Sequence, residues 1–274
     1  SKDYNVFISK CDFAIITVPN YLHSSISIDL MEKGLHVFCE KPMAINSVDC
    51  NLMLKTSEVN KVCLEIGHYL RFSPTISYAR DLINSGIIGD VESFHATYGW
   101  KWNYESNTNF YSSRKLSGGG VLIDQGCHIL DLIFWFFGNP KRHNSFFSYD
   151  DNKESLDSEV SVEMFFENKI KGKAITSRLQ TLKNTFRING SSGFFELDLG
   201  TPGKGIFYSK KSKICEGGLG IPLNCEINPY KNHLSSFIDQ LSMVQPSSKN
   251  KGYEKSIDFI EKLYLENSLK DKKH

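Results

Sequence analysis

The sequence predicts an α/β fold in two parts: a doubly wound parallel sheet over residues 1–72, and an α+β domain over 73–274 with a large, mostly antiparallel open sheet. Two observations carry this. Over the first 70 residues, short apolar β-rich runs alternate with helical periods across short connections, which implies parallel strands and right-handed crossovers. From Lys141 to Tyr208 strand follows strand, separated by turn residues, with helices left to cover one face.

Each element has its own signal. Asp12–Val18 is a continuous apolar run, expected as a strand buried on both faces and ended by Pro19-Asn20. His23–Lys33 reads as a helix with Ile26, Leu30 and Met31 inward and Gly34 as its stop. Leu35–Glu40 is the next strand, closed by Lys41-Pro42. Asn46 or Ser47 can cap a helix to about Val59, expected to bury Val48, Leu52 and Leu54 or nearby residues. Lys61–Ile66 is the third strand. Ser73-Pro74 starts a helix that ends at Gly86, and Val91–Trp100 alternates as a strand. The polar, aromatic stretch from Lys101 to Lys115 has no clear period. Gly118-Gly119-Gly120 opens an apolar helix that runs through Phe137. Strands follow near 143–149, 159–167, 170–181, 184–189, 194–199 and 205–209. Helices near 229–243 and 253–269 finish the chain, the last expected to pack back on the first part.

Composition narrows the function classes. Of 274 residues, 40% are apolar and 23% charged, which fits neither disordered nor collagenous nor membrane chains. Lys+Arg 32 against Asp+Glu 31 gives a net charge of +1, so no basic excess exists to drive binding to nucleic acid or an anionic membrane. The longest apolar run, Leu132–Phe137, is too short to span a bilayer. Seven cysteines, an odd count with no C-x-x-C, argue against disulfides or a zinc knuckle. No signal-peptide pattern opens the sequence, and a reducing cytoplasm is the expected setting.

Three groups of residues can carry chemistry. Lys41, at the carboxyl end of a parallel strand, would project into the crevice where such sheets bind ligands and could stabilise an alkoxide; it could equally be a solvated Lys-Pro turn. Asp124, His128 and Asp131 fall at i, i+4 and i+7 on one helix face. A carboxylate one turn before a histidine can orient the imidazole for general-base work; as alternatives, Asp124 answers the helix dipole and His128 is a core histidine. Gly126 beside them leaves room for a ligand or for close packing. The rings of Tyr98, Trp100, Trp102, Tyr104, Phe110 and Tyr111 could stack on sugar faces or simply pack a loop. Metal is not expected, because no third ligand frames Asp124 and His128. A G-x-G-x-x-G dinucleotide fingerprint is absent: Gly118-x-Gly120 follows a loop, and Gly217-Gly218-x-Gly220 precedes proline.

In order and spacing, these stretches resemble the Gfo/Idh/MocA family of sugar and polyol oxidoreductases. They are Cys11–His23, Gly34–Pro42, Arg71-Phe72-Ser73-Pro74 and Gly118–Asp131, spread over about residues 11–140. The resemblance implies a Rossmann domain, then an α/β domain with an open sheet. It implies NAD or NADP as cofactor, and hydride transfer from a secondary alcohol of a sugar, nucleotide sugar or polyol. Lys41, Asp124 and His128 would be catalytic. Thr17, Pro19, Asn20, His23, Glu40, Lys41 and Arg71 would line the cofactor. Trp100 and Tyr111, with Lys41, Asp124 and His128, would meet the substrate. A homo-oligomer, dimer or tetramer, is implied as well. Family members carry a further βαβ unit with the glycine fingerprint before the strand at Asp12. The expectation is therefore a chain lacking that part, with impaired catalysis or a sugar-binding or oligomerisation role alone.

Overall fold

A computed structural model describes residues 4–102, 110–149, 156–201, 203–209, 228–241 and 251–271. A single helical turn, α1 (Asn5–Ile8), precedes β1 (Phe13–Ile16), α2 (His23–Glu32), β2 (His36–Cys39), α3 (Ser47–Asn60) and β3 (Leu64–Ile66). The strands form a parallel sheet in the order β1-β2-β3. Asn46 caps α3 by accepting the Asp49 N–H at 2.8 Å.

Two expectations about this sheet are corrected. β1 is not buried on both faces: Ile15 is 48% exposed. β1 is an edge strand, and no strand pairs with its outer side among the described residues; instead α1 joins it in lining an apolar groove that includes Tyr4, Phe7, Phe13 and Ile15. In α3 the buried face is Cys50, Met53, Thr56 and Ser57, while Val48 is 73% and Leu52 46% exposed. α3 packs against α2 and α8, which leaves Val48 and Leu52 toward solvent and Leu54 partly covered.

Beyond α4 (Pro74–Asn84) comes β4 (Val91–Gly99), then α5 (Arg114–Ser117), a π-helical turn (Leu122–Gly126) and α6 (Cys127–Phe137). Six strands follow: β5 (Arg142–Tyr149), β6 (Asp157–Phe165), β7 (Lys171–Ser177), β8 (Thr185–Gly190), β9 (Gly193–Asp198) and β10 (Gly205–Ser209). With β4 they make a seven-stranded sheet ordered β10-β9-β8-β4-β7-β6-β5, antiparallel except for β4 beside β7. Period-two burial shows in β6, where Val160, Val162 and Met164 face in and Ser161 and Glu163 face out.

α6 lies on the inner face. Phe137 stacks on Phe94 at 5.1 Å, and Phe186 meets Phe94 edge-on at 5.9 Å. The stretch Arg114–Phe137 is long and apolar enough to cross a membrane, but 78% of its most apolar window is buried in the protein. It is a core element. α7 (Pro229–Leu241) and α8 (Glu254–Asp271) complete the chain, and α8 touches both α3 and α6. There Glu261 accepts the Ser47 N–H at 3.1 Å, at the start of α3.

The triple glycine is a packing device. A Cβ at Gly120 would lie 2.1 Å from the Asp157 carbonyl oxygen, and one at Gly119 would lie 2.2 Å from the Tyr264 hydroxyl. Asp157 accepts the N–H groups of Gly120 (2.9 Å) and Leu122 (2.7 Å) and the Tyr264 hydroxyl (2.7 Å). One buried carboxylate thus fixes the start of the turn that carries Asp124. At Gly126 a Cβ would meet Leu122 at 3.0 Å and Thr176 at 3.3 Å, so close packing accounts for this glycine too.

Candidate active site

The carboxyl ends of β1 and β2 open toward the π-helical turn before α6. From the end of β2, the Lys41 ammonium donates to the Asp124 carbonyl at 2.8 Å and to the Asp124 carboxylate at 3.1 Å. Burial disfavours the Lys41 charge, but Asp124, Cys127 and Glu40 outweigh it and hold the pKa above the ordinary lysine value. Lys41 is a cation at neutral pH. Glu40 turns back on the same backbone and accepts the Lys41 N–H at 3.2 Å.

His128 is buried, walled by Tyr98 at 5.3 Å, Tyr69 at 5.5 Å and His68 at 6.4 Å between ring centroids. Burial, with Lys41 and His68 adding to it, holds its pKa well below the ordinary histidine value, so the ring is neutral. Its Nδ1 is sealed from solvent with no hydrogen-bond partner. No hydrogen bond joins Asp124 to His128 among the described residues. The wider π turn and the pull of Lys41 take the carboxylate elsewhere.

Tyr69 and Tyr98 share a hydrogen bond between hydroxyls at 3.2 Å. Tyr230, from α7, stacks on Tyr69 at 4.1 Å, and Trp100 meets Tyr98 edge-on at 5.5 Å. Asn20, Trp102, Tyr111, Asp124 and Arg178 line one small pocket, in which Asn20 donates to the Ser117 carbonyl at 3.1 Å. Thr17 and Pro19 are exposed at the end of β1, Thr17 on the side of the α1 groove. Tyr104 lies outside the described residues.

Two residues expected at the cofactor face inward. His23 is buried, with its ring nitrogens each 2.8 Å from a carbonyl, that of Pro42 or that of Val18. It braces the two strand ends from behind. Arg71 donates through Nε and Nη2 to Asp131 at 2.7 and 2.5 Å, and through Nη1 to the Lys251 carbonyl at 2.6 Å. Buried and committed to these partners, it does not line the cleft. Sequence reasoning missed His68, Tyr69 and Tyr230. The first two follow the end of β3, where the rule for ligands beyond parallel strand ends points directly; Tyr230 carries no local signal.

Asn20, Glu40 and Lys41 around Asp124 suit the ribose and nicotinamide end of a dinucleotide. Ile45, Tyr264 and Asp157 crowd the glycines at 118–120, so this triple glycine leaves no room for a pyrophosphate.

Comparison with known proteins agrees with this architecture. The oxidoreductase-family, NAD-binding Rossmann fold profile matches residues 2–68, and the GFO/IDH/MocA C-terminal domain profile matches 76–196. The Rossmann match reaches back beyond the motifs from Cys11 and does not mark the N-terminal part as missing. The 2,7-anhydro-N-acetylneuraminate hydratase of Mediterraneibacter gnavus is 36% identical over 125 residues, 45% of this chain and 33% of that protein. The levoglucosan dehydrogenase of Pseudarthrobacter phenanthrenivorans is 26% identical over 152 residues, 54% of this chain and 39% of that protein. The chain thus spans between a third and two-fifths of the length of these relatives. A levoglucosan dehydrogenase structure in complex with NADH superposes with a TM-score of 0.84 at 21% identity, covering 98% of this chain and 81% of that one. The aldose-aldose oxidoreductase of Caulobacter crescentus, complexed with glycerol, gives 0.81 at 23% identity, covering 96% and 80%. With one profile over the parallel sheet and the other over most of the large sheet, in that order, the chain belongs to the Gfo/Idh/MocA oxidoreductase family and carries its NAD-binding Rossmann fold.

Proposed function

We propose that the chain oxidises a secondary alcohol of a sugar, nucleotide sugar or polyol, or runs the reverse reduction, with NAD or NADP. The observation that carries this reading is the meeting of Lys41, Asp124 and His128 in an aromatic-walled crevice at the ends of the parallel strands. The nicotinamide, when bound, supplies the hydride acceptor. The substrate hydroxyl then sits between the Lys41 ammonium and His128. Lys41 stabilises the developing alkoxide, and the neutral imidazole takes the hydroxyl proton at Nε2. Asp124 holds Lys41 charged and aimed. Trp100, Tyr111 and the Tyr69–Tyr98 pair offer ring faces and hydroxyls to a sugar. The buried free thiols of Cys39, Cys50, Cys63 and Cys127 suit a reducing cytoplasm. The exposed face of the large sheet, with Phe146 and Ile206, suits a dimer or tetramer of this chain.

The second reading is a sugar-binding or oligomerisation module with impaired catalysis. The exposed apolar side chains Phe146 and Ile206 on the large sheet favour it. Calorimetric titration of the full chain with NADH and NADPH separates the two. The first reading requires saturable binding of one of them; no heat at millimolar cofactor leaves only the second.

A further inference from the structure

Behind His128 lies a second buried histidine with no partner of its own. His68, 2% exposed, has no hydrogen bond at Nδ1 or Nε2. Its Nδ1 is 3.6 Å from Asp131 Oδ2, too long for a hydrogen bond but aimed at a carboxylate that Arg71 already holds by two bonds. Its ring stacks on Tyr253 at 5.6 Å and meets the His128 ring at right angles, 6.4 Å between centroids. Three imidazole nitrogens, two on His68 and Nδ1 of His128, are therefore sealed in one region without partners. Leaving each unpaired is costly, and a region this polar is where proteins keep ordered water.

We propose that His68 is a positioning residue for His128, acting through one buried water held between the two rings. A ring separation of 6.4 Å keeps the nitrogens of the two rings at least about 4 Å apart, too far for a direct hydrogen bond and within reach of a bent bridge through one oxygen. The bonds run in one direction. His128 Nδ1–H donates to the water, the water donates to His68 Nε2, and the hydrogen on His68 Nδ1 faces Asp131 Oδ2 across 3.6 Å, an electrostatic contact longer than a hydrogen bond. This chain leaves His128 Nε2 as the bare lone pair, the form a general base needs. When Nε2 takes a proton, the Asp131 carboxylate at the far end of the chain faces the new charge through His68. The inference rests on the proposed role of His128, but the geometry behind it does not depend on turnover.

The surroundings explain why a positioning device is useful. Burial, Lys41 and His68 all push His128 toward its neutral form, while Tyr69 and Tyr98 face it as uncharged phenols. His68 is lowered to about 4 by burial, with Arg71, His233 and Lys41 acting the same way and Asp131 opposing. Both rings are neutral at pH 7, so the question is which nitrogen carries the hydrogen.

Nitrogen-15 NMR of the histidine-labelled full chain answers it. The expected result is His128 as a single tautomer protonated at Nδ1 in the wild type. In His68→Phe, which keeps a ring against Tyr253, His128 becomes a mixture of tautomers, and in His68→Gln, which restores a polar partner, the single tautomer largely returns. Turnover should follow, with kcat about 10- to 100-fold lower in His68→Phe and KM little changed. A wild-type His128 protonated at Nε2, or a tautomer unmoved by His68→Phe, overturns the proposal. The wild-type spectrum decides even if a variant fails to fold. Absence of any dehydrogenase turnover would remove the proposed function and leave the tautomer result standing.

Discussion

Lys41 and Asp124, 83 positions apart, are joined twice: the ammonium bonds both the backbone carbonyl and the carboxylate of the same residue. The double contact ties the end of the parallel sheet to the turn that begins α6, so the two parts of the chain share one site.

Asp124→Asn separates these contacts. The carbonyl acceptor survives, so Lys41 stays tethered, but the negative charge that raises its pKa is gone. The basic limb of a pH–rate profile should therefore move to lower pH, with kcat about 10-fold or more below wild type. Stability should change by about 1 kcal/mol or less, because the two side chains are 21% and 28% exposed. A basic limb left in place would show that Asp124 does not set the Lys41 charge.

The Arg71–Asp131 pair should behave in the opposite way. It is buried and bidentate, so Asp131→Asn strands the guanidinium inside the protein and should cost about 3–5 kcal/mol in urea unfolding. Replacing both members with leucine should cost less than either single change. Equal or additive losses would show that the pair is not the stabilising unit.

Acid stability follows from His68. Between the ordinary histidine value of 6.5 and about 4, the unfolded chain binds a proton that the folded ring refuses. Stability is therefore complete above pH 6.5, falls as the pH drops across that window, and loses about 3 kcal/mol from this group by pH 4. His68→Phe should flatten the curve there. A variant with the same acid slope as wild type would assign the loss to other groups.

Two glycines make a paired test of packing. Gly120→Ala drives a Cβ into the Asp157 backbone, which cannot yield, and should destabilise by more than about 2 kcal/mol while disturbing Asp124. Gly126→Ala meets the movable end of Leu122 and should be clearly milder. Comparable melting temperatures for the two would contradict this account of the triple glycine.

Much of the fold was readable because its periods are clean. The six strands from β5 to β10 follow the expected order, although β7 stops at Ser177, short of 181, and β1 and β2 end at Ile16 and Cys39, just ahead of Pro19 and Lys41-Pro42. Burial was less legible. In α3 the buried face holds Cys50, Met53, Thr56 and Ser57 while Val48 and Leu52 face solvent, an orientation set by the helices packed against it and not by local period. Within the site, Lys41 and Asp124 could be picked out singly, but their contact is a long-range event. Arg71 and His23 show the reverse: both belong to the matching motifs, and both turn inward to hold the site from behind. Motif position fixes which residues matter more readily than which way a side chain faces.

Reduced-nicotinamide absorbance with NAD+ and NADP+, over a panel of sugars, nucleotide sugars and polyols, tests the chemistry assigned to Lys41 and His128. It should compare the full chain with its Lys41→Ala and His128→Ala variants. The account predicts turnover of a secondary alcohol by the wild type, reduced at least about 100-fold in each variant while both remain folded. Turnover that persists undiminished in either variant would contradict it.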